Sequence, residues 1–97
     1  VERTWMRQPH YYMGLYSYTY SAGLTIGTQM CLNILKDNSK AAQWIEVLKS
    51  GGSKNPIDLA KMADVDVTTD APLLNTIEYI GSLIDEMERL TDKIEQE

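Results

Sequence analysis

His10 is the only histidine of this chain, and five of the six tyrosines follow it at positions 11, 12, 16, 18 and 20. An imidazole and phenol hydroxyls are donors that can steady negative charge as it develops on a carbonyl oxygen under attack. On one helix Tyr11 and Tyr18, seven apart, would lie two turns apart on nearly the same face, with Leu15 and Ala22 on that stripe. Tyr12 and Tyr16 mark a neighbouring stripe, and Tyr20 lies elsewhere. Phe is absent from the whole chain, which points to a use for the hydroxyl as well as the ring. An aromatic stripe at helical spacing is also how an ordinary core is built, so a site and a packing surface both remain open on the residues alone.

The surroundings of these residues are unusual. From Gln8 to Leu35 there is no charged side chain, yet Tyr, Ser, Thr, Gln and Asn are abundant. A solvated surface helix would carry a charged outer face. The expected place for this run is therefore inside a protein, lining something that needs hydroxyl and imidazole donors. Gly23 and Gly27, four apart on one face, suit close contact with another helix. A membrane span is not expected. Its length would suffice, but His10, Gln29, Asn33 and tyrosines spread through half of it are too polar.

The pattern around that run predicts an all-α chain with long first and last helices joined by two shorter ones. The first is expected from about Pro9, a residue suited to a first turn, to about Lys36. The second covers about Lys40 to Lys49, capped by Asn38 or Ser39, with Ala42, Trp44, Ile45 and Leu48 on its apolar face. Ser50-Gly51-Gly52-Ser53 ends it, because Gly just past a helix takes a left-handed conformation at little cost. Asn55 caps and Pro56 opens a short third helix. The connector after Ala63 is expected to tuck Val65 and Val67 inward. The last helix starts behind Thr69 or Asp70, with Pro72 in its first turn and an apolar stripe through Leu73, Ile77, Ile80, Ile84, Met87 and Ile94.

Composition narrows the function. The net charge is −5, and the negative excess falls after Lys36, so no basic patch is offered to phosphates and nucleic acid is not an expected partner. Cys31, the single cysteine, cannot form an internal disulfide, which is compatible with a reducing, cytoplasmic location. No signal peptide is expected in these residues. One histidine cannot make a His-Glu-x-x-His zinc motif, and there is no Gly-x-Ser-x-Gly elbow or phosphate-cradling loop. With no complete site of its own, the chain is expected to be the C-terminal piece of something larger.

Two motifs in order resemble one family. Pro9-His10-Tyr11-Tyr12, then Met13-Gly14-Leu15, then Tyr16-Ser17-Tyr18-Thr19-Tyr20-Ser21-Ala22-Gly23-Leu24 is the first. Leu48-Lys49-Ser50-Gly51-Gly52-Ser53-Lys54-Asn55-Pro56, followed by Leu59 and Ala63-Asp64-Val65-Asp66, is the second. Together they are similar to the C-terminal end of the oligoendopeptidase F family, zinc metallopeptidases of the thimet oligopeptidase superfamily. Departures are Tyr11, where Phe is common, and Asp64, where Gly is frequent.

The resemblance implies that residues 1–97 are the C-terminal part of an all-helical catalytic domain with a deep channel for oligopeptide substrates. It implies zinc in the full-length parent, held by upstream residues, and none bound by this piece, which alone would be inactive. Zinc would activate a water and polarise the scissile carbonyl. His10, Tyr18 and, less securely, Tyr11 would donate to the oxyanion, while Tyr12, Tyr16 and Tyr20 bind substrate. Apart from its parent the piece is expected to self-associate. A non-catalytic helical interaction module and a degenerate peptidase relative remain as alternatives.

Overall fold

The chain opens with two single turns of 3-10 helix, Thr4–Arg7 and Pro9–Tyr12, and only then enters its first long helix. The computed structural model describes residues 1–96. Four α-helices follow in order: α1 (Ser17–Lys36), α2 (Lys40–Ser50), α3 (Pro56–Met62) and α4 (Ala71–Glu95). Among the described residues there is no strand, and the all-α class with long first and last helices holds. Among the described residues no helix is long and apolar enough to cross a membrane.

The start of α1 differs from the expectation at Pro9. Met13 is extended (φ −98°, ψ 107°), and Leu15 stands at φ 62°, a left-handed conformation unfavourable to an L-residue by about 1–2 kcal/mol. Gly14, next to it, is itself a poor helix former. The helix therefore cannot propagate from Pro9 through this point, and the turn around Tyr12 is closed off by Met13 N–H donating to His10 O (3.3 Å).

The turns between helices are built by aspartates more than by the hydroxyls expected to cap. Neither Ser39 before α2 nor Asp70 before α4 makes a side-chain cap bond, both standing in helical conformation. Instead Asp37 Oδ1 accepts from the Ser39 backbone N–H (3.0 Å), and Asp66 Oδ1 accepts from Thr68 N–H (2.9 Å). Each is an Asx turn, in which the side chain mimics a backbone acceptor. Hydrogen bonds from the side chains of Ser39 and Thr68, and then these backbone bonds, hold the Asp37 and Asp66 carboxyls below their ordinary value of 3.8. Asn55 does cap α3 as its sequence indicates, its Oδ1 accepting from Asp58 N–H at 3.0 Å. Gly51 ends α2 at φ 54°.

The end of α3 is a Schellman motif without glycine. Val65 N–H donates to Ala60 O (2.9 Å) and Asp64 N–H to Lys61 O (3.0 Å), the paired bonds of that motif. Asp64 takes the left-handed position at φ 58°, where Gly is the usual residue. Its carboxylate also receives Lys40 Nζ from the start of α2 (2.8 Å), and that pairing raises the Lys40 ammonium above its ordinary value.

The motif turns Val65 inward. Met30, Ala63 and Val65 form the buried cluster, with Ile26, Ile34, Trp44 and Val47 packed around it. Val67, also expected inward, is 38% exposed, because the turn around Asp66 carries the chain back to the surface. On α2 the inward residues are Ala41, Trp44 and Val47, whereas Ala42, Ile45 and Leu48 face out. Trp44 decides this: its ring reaches the Met30 cluster and sets the rotation of the helix.

α4 lies on α1 by a small, partly polar seam. Pro72 and Thr76 are buried in it, and the Thr76 hydroxyl donates to Pro72 O (2.8 Å) while lying 3.5 Å from Thr25 O. Asn75 donates to Gln29 Oε1 (2.8 Å), and Gln29 to Asn33 Oδ1 (2.9 Å). The apolar stripe from Leu73 to Ile94 is exposed throughout. Gly23 and Gly27 show no close approach either: a Cβ at each would meet nothing within 4 Å. The Cα radius of gyration, 17.5 Å, exceeds the roughly 13 Å of a compact domain of about this length. The helices thus form an open arrangement around a small core, with two large faces uncovered.

Candidate functional site

The uncharged run falls on the second 3-10 turn, the break that follows it and all of α1 but its last residue. Tyr16 and Tyr20, one turn apart, share a face as residues four apart do. Their hydroxyls are 3.2 Å apart, and their rings meet edge to face at 5.4 Å and 83°. The His10 ring stacks on Tyr16, with centroids 5.1 Å apart and an interplanar angle of 26°. The break at Gly14–Leu15 makes this possible, since it folds the His10 turn back over the start of α1. The hydrogen bond to Tyr16, and its charge when ionised, push the Tyr20 phenol above the ordinary value of 10.0. An imidazole and two hydroxyls are thus gathered on one exposed face.

Tyr18 is not in that group. Two residues from Tyr20 is about 200° around the helix, and Tyr18 instead borders an apolar recess of about 360 Å³ with Ala22 and the start of α4. Tyr11 and Tyr12, on the second 3-10 turn, are exposed. The stripe linking Tyr11 to Tyr18 at a spacing of seven does not form, because the helix that would carry it is interrupted at Leu15. Tyr20, which the sequence reading set apart from the Tyr12–Tyr16 stripe, instead pairs with Tyr16. The available signal was their own separation of four.

Elsewhere, a polar cleft of about 420 Å³ between α1, the connector and α4 contains the Asn75–Gln29–Asn33 amide chain and the Lys40–Asp64 pair. Cys31 is exposed. Among the described residues no group of three or more His, Cys, Asp or Glu side chains is placed to hold a metal ion.

The chain is similar to known peptidases along most of its length. It is 37% identical over 93 residues to oligopeptidase PepF of Bacillus subtilis, covering 95% of this chain and 14% of that protein. It is 34% identical over 87 residues to an oligoendopeptidase F homolog of Borreliella burgdorferi, covering 88% of this chain and 15% of that protein. The plasmid-borne oligoendopeptidase F of Lactococcus lactis subsp. cremoris is 27% identical over 94 residues, 96% of this chain and 16% of that protein. No family model matches the chain, and no solved structure matches it. The chain spans about one seventh of the length of the curated relatives it matches. At 37% and 34% identity along most of its length, the chain belongs to the oligoendopeptidase F family.

Proposed function

We propose that residues 1–97 are the C-terminal part of the catalytic domain of a zinc-dependent oligoendopeptidase that hydrolyses short peptides in the cytoplasm. The observation that carries this reading is the likeness to an oligopeptidase at 37% identity across nearly the whole chain. The donor set of the chain does not fit a zinc centre: its one histidine is stacked on a tyrosine. A catalytic zinc site needs three protein ligands. The zinc would be held by residues outside this chain, and the part left to this chain is binding and charge stabilisation.

His10, Tyr16 and Tyr20 form one wall of the peptide channel. The imidazole and the paired hydroxyls present N–H and O–H donors toward the carbonyl oxygen as it becomes an oxyanion. The edge-to-face packing of the two phenols sets the hydroxyls side by side, and a surface of the full-length protein closing over them would fix them before charge appears, so that little reorganisation is needed. Tyr12 and Tyr11, exposed beside them, bind the extended peptide. Tyr18, the residue favoured by spacing as the oxyanion donor, faces away from this wall, toward Ala22 and the start of α4.

Steady-state kinetics of His10→Ala, Tyr16→Phe, Tyr18→Phe and Tyr20→Phe in the full-length protein test this assignment. Removing a hydroxyl that bonds only the oxyanion lowers kcat by about 100- to 1000-fold with KM little changed. That result is expected for Tyr20→Phe or Tyr16→Phe. The same loss in Tyr18→Phe alone would return the donor role to Tyr18. Full peptidase activity in all four variants would remove this face from the chemistry.

A further inference from the structure

On one continuous helix His10 and Tyr16, six residues apart, would stand about 240° apart around the axis and about 9 Å apart along it. Their rings could not then stack, yet they do, with centroids at 5.1 Å. A reversal of the backbone between them is therefore a condition of the site. It is made by Met13, which is extended, by Gly14, and by Leu15 at φ 62°. Tyr18 N–H then donates to Leu15 O (3.2 Å) and Thr19 N–H to Tyr16 O (3.1 Å), leading the chain into α1. Gly14 does not share the left-handed angle, and a Cβ there would meet nothing within 4 Å. Its effect is to weaken the continuous helix that competes with the reversal. The angle itself falls on Leu15, a residue type that rarely takes it. The Leu15 side chain is 78% exposed, so what this residue contributes here is its backbone.

We infer that Leu15 is a positioning residue for the oxyanion site: its left-handed backbone, and not its side chain, carries the His10 imidazole onto the Tyr16–Tyr20 pair. The inference rests on the peptidase reading and adds to it a residue that touches no substrate. Two backbone arrangements compete at this point. With residue 15 left-handed, α1 starts at Ser17 and His10 stacks on Tyr16. With residue 15 right-handed, α1 would run back toward Pro9 and His10 would swing around the axis away from Tyr16. Tyr11 would then come onto the stripe of Tyr18 instead. Only the first arrangement gathers the imidazole and the paired hydroxyls on one face. A substitution at residue 15 therefore acts on the rate through the population of that arrangement.

Steady-state kinetics of the full-length protein test this with substitutions graded by how each bears a positive φ. Leu15→Gly, free at this angle, and Leu15→Asn, which tolerates it, should keep kcat within about twofold of wild type. Leu15→Val, branched at Cβ and ill suited to the angle, should lower kcat about 10-fold with KM little changed. Gly14→Ala, which strengthens the competing helix, should lower kcat about fivefold, and it serves should the Val variant fold poorly. The decisive readout is a double-mutant cycle. In a His10→Ala background, Leu15→Val should cost less than about twofold, because the group it positions is gone. An equal loss in both backgrounds would overturn the inference, since residue 15 would then act on something other than His10. A loss in Leu15→Gly as large as in Leu15→Val would overturn it too, by assigning the role to the leucine side chain. So would wild-type kcat in both Leu15→Val and Gly14→Ala while His10→Ala is impaired. Wild-type kcat in His10→Ala itself would instead remove the imidazole from the chemistry, and with it the reading on which the inference rests.

Discussion

Tyr16 and Tyr20 touch hydroxyl to hydroxyl at 3.2 Å across one turn of α1. Phenols at this spacing share one hydrogen bond, and ionising either places a negative charge beside the other oxygen. With one phenolate formed, its charge raises the cost of removing the remaining proton, which is held on Tyr20.

The first prediction concerns that proton. Followed by absorbance of the tyrosinate, Tyr20 should titrate above its ordinary value of 10.0, and Tyr16→Phe should bring it back down. Because the folded-state value is raised, the stabilisation is complete below the unfolded value and disappears as the pH rises through the folded one. Phenols that all titrate together at the ordinary value would show that the pair is not formed in solution.

A second concerns Asp64, which serves the backbone and a charge at once. Asn tolerates the left-handed conformation and Gly adopts it freely, so Asp64→Asn and Asp64→Gly should unfold close to wild type and differ chiefly in losing the Lys40 pair. Asp64→Val, with a branched side chain at φ 58°, should cost about 1–2 kcal/mol. Chemical denaturation of the three variants checks the order. A Val variant as stable as wild type would mean that the Schellman turn is not formed.

A third concerns acid. The Asp37 carboxyl is held below 3.8 by the Ser39 hydrogen bonds, so its contribution is full above that value and is lost as the pH falls through the lower folded-state value. Asp37→Asn should therefore lower the denaturation midpoint at about pH 6, and the difference from wild type should shrink as the pH falls below 3.8. An equal effect above and below that value would assign the role of Asp37 to side-chain shape rather than charge.

A fourth concerns association. The α4 stripe through Ile77, Ile84 and Met87 and the tyrosine face of α1 are both exposed, and patches of this kind drive association in water. The chain produced alone should form dimers or larger species by light scattering, and Ile77→Lys with Ile84→Lys should shift it toward monomer. A clean monomer at high concentration would count against this.

The helix bounds after Asp37 were legible because local chemistry sets them: Asn55 with Pro56, the glycines after Ser50, and Pro72 all act within a turn or two of their own position. The rotation of each helix was not. On α4 the longest apolar stripe faces solvent, and the seam is made by Pro72, Thr76 and Asn75, which hydrophobicity alone does not select. On α2 the pattern around Ile45 and Leu48 lost to the reach of one ring, Trp44. The site was half legible. His10 and the tyrosines stand together in the sequence, but the reversal at Leu15, invisible to periodicity, decides which of them meet.

α1 is held at one end only. Its second half is clamped by the Met30 cluster, while Ser17 to Leu24 lie exposed beyond the last packed turn. Backbone amides from Ile26 to Ile34 should exchange with deuterium slowly, and those before Leu24 should exchange close to the free rate although the helix is continuous. The tyrosine pair therefore sits where the helix opens most often. Its alignment is order lent from outside, and a substrate or neighbouring surface that closes over this end would raise protection there first.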